Sequence, residues 1–572
     1  MKEDRKYHSL AIALLSLLAI ALYFNSLNNS FHFDDFPNIV ENPYIRNLKD
    51  FPLFLKGANS YTGEFRALSS LSFAINYHFH KLNVFGYHLV NLILHILSGV
   101  LVYFISMDLF VLGLKKNVVF SDNPVSTEGR TIHLFSFVSA SFFISHPIQV
   151  NTVTYIVQRG EGLAGFFYLL CFFLFIKGSV RKGRVKYLFF SGAGLSLIGS
   201  LFSKETGFTL PIILFLFDFL FICQKREEIF TRLKIYIPLL IFLGIYLFFF
   251  LKGGVILNML MAESKSDWTP WENLLTQSNV IIQYFKLLFL PLPRWLNIDH
   301  DFQLSKSLWE YPTLLSVSII LLLLISAIFL VKKYRLISFS IFFFFITLAP
   351  SSSIIPLWDI MVEYRLYLPI FSYSLILTLC FHTLYQFIAR RYSKKIGQGV
   401  VGGILVCVLS LYSVTTIERN AIFKDGLTLW NDAVKKSPNK MRTHHNMGKA
   451  YFEKGQMDQA IREGAMALRL SAHLIRKENV KFVLNLLGGA HGMKGEYDIA
   501  LRLFQQAIQV DPNFATSHYN AGCIYATKKE KEKAFQYLRK AISLDPKYKE
   551  KAKVDEDFIP LRGEKEFEEM VK

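Results

Sequence analysis

Two adjacent carboxylates, Asp34 and Asp35, stand in the run Phe31-His32-Phe33-Asp34-Asp35-Phe36-Pro37, just beyond the first apolar segment. Neighbouring like charges raise one another's pKa, and a low-dielectric phase close by penalises ionisation further. Acids crowded in this way move toward the range that general-base work needs. The competing reading is a solvated turn, since Asp-Asp before Phe-Pro is ordinary turn chemistry.

Three further islands of polar chemistry interrupt the apolar sequence. His146-Pro147-Ile148-Gln149-Val150-Asn151 continues to Gln158-Arg159-Gly160-Glu161-Gly162. The planar fork of Arg159 can hold an anionic phosphate, and equally can pair with Glu161 or cap a helix. His146 before a proline reads as a structural turn, because no metal-like companions accompany it. In Ser203-Lys204-Glu205-Thr206-Gly207, Lys204 and Glu205 either neutralise each other or meet an anionic lipid head group. Glu363-Tyr364-Arg365-Leu366-Tyr367-Leu368-Pro369 sets another acid and base at the end of a helix, whereas Asp218 reads as structural.

The elements that carry these islands are membrane helices. Of 572 residues 52% are hydrophobic and 55 are Phe, and they come in long blocks separated by short basic clusters. This is the pattern of an all-α, polytopic membrane domain. The net charge of +19 lies mainly between the apolar blocks, where positive-inside orientation accounts for it without nucleic acid. About eleven spans are expected, given about 20 residues per crossing. They fall near 9–23, 87–112, 132–145, 163–175, 187–202, 208–223, 235–251, 314–331, 336–348, 369–388 and 400–415. The short block Gln283 to Pro291 is read as re-entrant or interfacial. Lys2, Arg5 and Lys6 precede an apolar run without a small-residue cleavage site, which predicts an uncleaved anchor. The basic clusters then share the cytoplasmic side with the N-terminus, and all four charged islands fall together on the opposite face. Five cysteines are scattered singly, in neither a disulfide nor a zinc pattern.

The membrane domain is expected over residues 1–418, with a first outer loop at about 26–86, and a soluble helical domain over 419–572. Gly448, Tyr451, Gly455, Ala460 and Ala467 recur as Gly488, His491, Gly495, Ala500 and Ala507. They recur again, 34 residues later, as Gly522, Tyr525, Lys529, Ala534 and Ala541. Small residues where paired helices touch, an aromatic between them and a closing proline (Pro512, Pro546) mark tetratricopeptide (TPR) repeats, an α-solenoid. A half repeat is placed at about 423–438, repeats at 441–474, 481–514 and 515–548, and a cap at 549–572. Such arrays bind peptides or proteins in their concave face, so a protein partner or acceptor is implied.

Taken in order, the Phe-Asp-Asp motif, Arg66-Ala67-Leu68-Ser69-Ser70-Leu71-Ser72, the His146 to Arg159 segment, Ser203 to Gly207 and Glu363 to Pro369 resemble the TMTC-like proteins. These are transmembrane, TPR-containing relatives of the protein O-mannosyltransferases, in the GT-C glycosyltransferase class. Arg66-Ala67-Leu68 departs from the Arg-Pro-Leu-like sequence common in the family, and the short array looks more like bacterial relatives than animal ones. The resemblance implies an inverting membrane glycosyltransferase in a bacterial inner membrane, its TPRs extracytoplasmic. The sugar would pass from a polyprenyl-phosphate donor to a hydroxyl of a protein (Ser or Thr) or of a glycan. It implies Asp34 as the base with Asp35 as neighbour or alternative, and Arg159, Lys204 and Arg365 against the leaving phosphate. Arg66, His146, Glu161, Glu205 and Glu363 would support them. A divalent metal occurs in some branches of the class, but one Asp-Asp pair does not establish a site.

Two other functions compete. A transporter or flippase of lipid-linked glycans would use the same basic groups without an outer base, and would carry charges midway along its helices. The charges here cluster at helix ends, which favours the enzyme. A membrane-anchored TPR scaffold without catalysis leaves the membrane helices without a task.

Overall fold

The computed structural model describes residues 2–50, 66–116, 129–223, 225, 227–228, 230–234, 236–237, 239–241, 244, 268–353, 355–357, 359–471 and 479–572. Every regular element among them is helical. Two compact units form: Met1–Ile298 with Phe302–Asp425, and Asp299–Asp301 with Gly426–Lys572.

In the first unit, the apolar runs become helices. The principal ones are α1 (Lys2–Tyr23), α2 (Ala67–His80), α3 (Val84–Lys116), α4 (Gly129–Ser145), α5 (Arg159–Val180), α6 (Val185–Leu201), α7 (Leu210–Phe217), α8 (Pro270–Phe289), α9 (Thr313–Leu330), α10 (Arg335–Leu348), α11 (Pro369–Arg391) and α12 (Lys394–Ile422). Among the described residues seven stretches are long and apolar enough to cross a membrane, and Gly129–Ser145 with Pro147–Val153, bent by 49°, makes an eighth. Ten of the eleven expected spans are helical where expected, Val185–Leu201 and Arg335–Leu348 being shorter apolar helices than the rest. The expected span at 235–251 lies largely outside the described residues.

The block at Gln283 to Pro291 proves to be the end of a longer helix. α8 starts in a capping box, with the Thr269 side chain accepting from Glu272 N and Glu272 reaching back to Thr269. Its first half buries Asn273, Thr276, Gln277, Ser278 and Asn279, so only its C-terminal part reads as apolar. Close packing elsewhere rests on glycine: a Cβ on Gly199 of α6 would lie 2.8 Å from the Phe167 ring of α5. α9 leaves Leu321, Leu322 and Phe329 exposed, as a lipid-facing helix should.

The second unit contains helix pairs Met441–Glu453 with Met457–Ser471, Val480–Met493 with Tyr497–Val510, and Ala515–Thr527 with Lys531–Leu544. The half-pair Gly426–Lys436 precedes them, and Lys547–Val554 and Lys565–Val571 follow. Ala460, Ala500 and Ala534, and again Ala467, Ala507 and Ala541, are fully buried at the helix contacts. One lock repeats between first and third pairs: His444 Nε2 donates to Pro438 O (2.8 Å) and His518 Nε2 to Pro512 O (3.0 Å).

Candidate functional site

The loop that carries Asp34 and Asp35 is pinned to the end of α12. Asn420 Nδ2 donates to Leu22 O (2.9 Å), Asn420 O accepts from Asn29 Nδ2 (2.9 Å), and Asn420 Oδ1 accepts from Thr154 Oγ1 (2.6 Å). One buried asparagine thus joins the exit of α1 to the segment before α5. Farther along the loop, His32 Nε2 donates to Phe423 O (2.7 Å). Phe33 then takes φ 41°, a left-handed turn that is unusual for a bulky residue and reverses the chain into the acids. Sequence reasoning missed Asn420 and His32; a lone asparagine closing an apolar helix was the available signal.

The two acids receive opposite environments. Asp35 is fully buried; Oδ1 accepts from Val157 N (2.7 Å) and Oδ2 from His32 N (2.9 Å). Burial pushes its carboxyl up to about 8, against the pull of those two N–H donors, with the charge of Asp34 adding to the rise. Asp34 is half-buried; its N–H donates to the Tyr155 hydroxyl (3.0 Å), and its carbonyl accepts from Asn38 Nδ2 (2.8 Å).

Around Asp34 the charged islands exchange partners relative to their order in the sequence. Lys204 Nζ pairs with Glu161 Oε2 (2.5 Å) rather than with its neighbour Glu205, which takes Arg66 Nη2 (3.3 Å). Ser69 Oγ donates to Ser203 O (3.2 Å) and Leu68 N to Phe202 O (3.0 Å), joining the start of α2 to the Lys204 turn. Gly207 makes that turn possible: a Cβ there would lie 3.0 Å from Leu201 N and from Ser200 Oγ. The Lys204 ammonium also sits 4.5 Å from the centre of the Tyr364 ring. The Tyr364 hydroxyl is held well above the usual tyrosine range, by burial first and then by the charges of Asp359 and Asp34, against Arg365 and Arg66. Tyr155 is raised likewise, by burial and by Asp34 and Asp35. Both tyrosines therefore feel the charge of Asp34, and Tyr364 that of Arg365 and Arg66 as well.

Other expected residues are held by hydrogen bonds of their own. Arg159, expected at a phosphate or beside Glu161, is fully buried, its charge reaches Asp35, and its guanidinium is held by neutral groups. Its Nε donates to Asn91 Oδ1 (2.8 Å), Nη2 to Tyr87 O (2.9 Å) and Nη1 to Ser72 O (3.3 Å), with the Phe73 ring 4.6 Å away. It ties α2 and α3 to α5, because a fork of donors inside a cluster of Phe73, Tyr87 and Ile156 finds main-chain carbonyls before it finds solvent. Glu363 is equally enclosed, accepting from Asn151 Nδ2 (2.7 Å) and Asn297 N (2.5 Å). His146 forms the turn expected of it, Nδ1 accepting from Ile148 N (3.2 Å) and Nε2 donating to Leu288 O (2.9 Å). Arg365 donates to Ile360 O (3.0 Å) and Asp359 O (2.6 Å), contacts that hold the guanidinium without neutralising it.

Residues 439–513 and 515–548 match tetratricopeptide repeat models. Over most of its length the chain is similar to proteins named protein O-mannosyl-transferases. Protein O-mannosyl-transferase TMTC4 of Homo sapiens is 26% identical over 78% of the chain and 64% of that protein. F38B6.6 of Caenorhabditis elegans is 24% identical over 80% of the chain and 62% of its own length. TMTC3 of Homo sapiens is 23% identical over 94% of the chain and 61% of its own length. The chain thus spans somewhat under two thirds of each of these relatives.

Proposed function

We propose that the chain is an inverting membrane glycosyltransferase that moves a sugar from a polyprenyl-phosphate donor to a hydroxyl of an acceptor protein. The observation that carries this reading is the division of labour at Asp34 and Asp35. Asp35 is fully buried and has both oxygens on main-chain N–H groups, and burial pushes its carboxyl up to about 8. Asp34, half-buried next to it, is then the carboxylate that takes the acceptor's proton. As that proton passes to Asp34, the acceptor oxygen bonds to the anomeric carbon from the face opposite the phosphate, and the bond from that carbon to the phosphate oxygen breaks. Lys204 and Arg365, with Arg66 nearby, face the negative charge that gathers on the departing lipid phosphate. The site lies on the extracytoplasmic side in this scheme, and the TPR unit binds the acceptor or a partner. The names of the relatives support mannose as the sugar.

The test is glycan mass spectrometry of membrane and secreted proteins from cells carrying the intact chain, Asp34→Asn or Asp35→Asn. The expected outcome is loss of a specific hexose modification in Asp34→Asn with normal membrane insertion. Unchanged glycans in both variants would overturn the reading.

A further inference from the structure

Lysine is a poor choice for a fixed electrostatic role unless something restrains it, because its ammonium rides on a flexible four-carbon stem. At this site it has competing acids to collapse onto. Glu205 is adjacent in sequence but is taken by Arg66, leaving Glu161 and the ring of Tyr364 as the groups that hold Lys204. Glu161 is 3% exposed and the Lys204 side chain 12%, so the pair is largely shielded from water and the ring face acts on a desolvated cation.

Tyr364 itself is fixed from both sides. Glu363 before it is held by Asn151 and Asn297, and Arg365 after it is held by the carbonyls of Asp359 and Ile360. The ring therefore has little freedom to follow the lysine, and the lysine must follow the ring. We infer that Tyr364 is a positioning residue whose ring face, rather than its hydroxyl, holds the Lys204 ammonium toward the anionic phosphate of a lipid-linked donor. The donor half of this inference rests on the glycosyltransferase reading; the ring and ammonium half does not.

The experiment uses the full chain in nanodiscs, with Tyr364→Phe, Tyr364→Leu, Lys204→Ala and the double variant Lys204→Ala/Tyr364→Leu. Two quantities are read: the rate at which Lys204 is reductively methylated, followed by mass spectrometry, and the Kd for undecaprenyl phosphate as probe. Tyr364→Phe should match the wild type in both. Tyr364→Leu should speed methylation and weaken the probe by about five- to thirtyfold, the factor a desolvated cation–π contact carries. In the Lys204→Ala background the same change should add less than about twofold, because the partner is gone. If Tyr364→Phe is as damaging as Tyr364→Leu, or if Tyr364→Leu weakens the probe equally without Lys204, the inference is overturned. If neither Lys204→Ala nor Tyr364→Leu weakens the probe while Tyr364→Leu still speeds methylation, the donor reading falls and the positioning of Lys204 by the ring stands.

Discussion

The main-chain N–H of Val157 donates to Oδ1 of Asp35 at 2.7 Å, so a carboxylate in the loop after α1 is bonded to the segment that leads into α5. With His32 N on the other oxygen, the side chain serves as a two-pronged brace between separate stretches of chain. Asparagine has one acceptor oxygen where two donors wait, so Asp35→Asn leaves one buried N–H unpaired. Near pH 5, where Asp35 of the folded wild type is protonated, the expected cost is about 1–3 kcal/mol of stability, measured by thermal unfolding of the detergent-solubilised protein.

That cost should depend on pH. The folded-state pKa of Asp35 is raised to about 8, so across the window from its ordinary value to about 8 the folded chain binds a proton that the unfolded chain lacks. Unfolding is then favoured as pH rises through this window, at up to about 1.4 kcal/mol per pH unit. Wild type should therefore lose stability relative to Asp35→Asn between about pH 5 and pH 8. A constant difference between the two proteins would mean that Asp35 is ionised throughout.

Arg159→Lys separates a brace from a phosphate ligand. Lysine cannot reproduce the simultaneous bonds to Asn91, Tyr87 and Ser72 or the planar contact with Phe73, so roughly 2–4 kcal/mol should be lost. The expectation is a lower unfolding temperature with unaltered affinity for a phosphate lipid in the fraction that remains folded. Weaker phosphate binding at unchanged stability would return Arg159 to the donor site.

The charged islands were legible because ionisable residues are rare between apolar blocks, and the solenoid was legible because a 34-residue period survives sequence drift. What each charge touches was not. Lys204 and Glu205 are neighbours in the chain, yet they pair with Glu161 and Arg66, because the turn ending at Gly207 points them apart. Asn420 and Tyr155 carry no charge and left no trace in a search for charge, although they fix the segment holding both acids.

Gly207 offers a test of that turn. A methyl group there meets Leu201 N and Ser200 Oγ at 3.0 Å and Ser200 C at 3.1 Å, and backbone atoms cannot step aside as a side-chain tip would. Gly207→Ala should cost about 1–3 kcal/mol and reduce transfer by displacing Lys204. Gly194→Ala in α6 meets nothing within 4 Å and should leave both stability and transfer intact or slightly improved. Equal behaviour of the two variants would show that the turn tolerates displacement.

Within the second compact unit, Asp299 is buried and gripped by Lys440 Nζ (2.5 Å) and by Arg442 Nε (2.7 Å), with Ser437 Oγ on its carbonyl (2.8 Å). Burial works against the charge, but Arg442 and Lys440 outweigh it and hold the carboxyl down at about 2. A depressed acid contributes stability that is complete above its ordinary value near 3.8 and disappears as pH falls toward 2. At neutral pH the contribution is roughly 2–3 kcal/mol. Asp299→Asn should forfeit it and leave two cations facing a neutral amide, so hydrogen exchange at residues 437–447 should accelerate at neutral pH. On acidification the wild type should converge on the variant below about pH 4, as its own carboxylate is protonated. Exchange rates that already coincide at neutral pH would show that Lys440 and Arg442 are satisfied without Asp299.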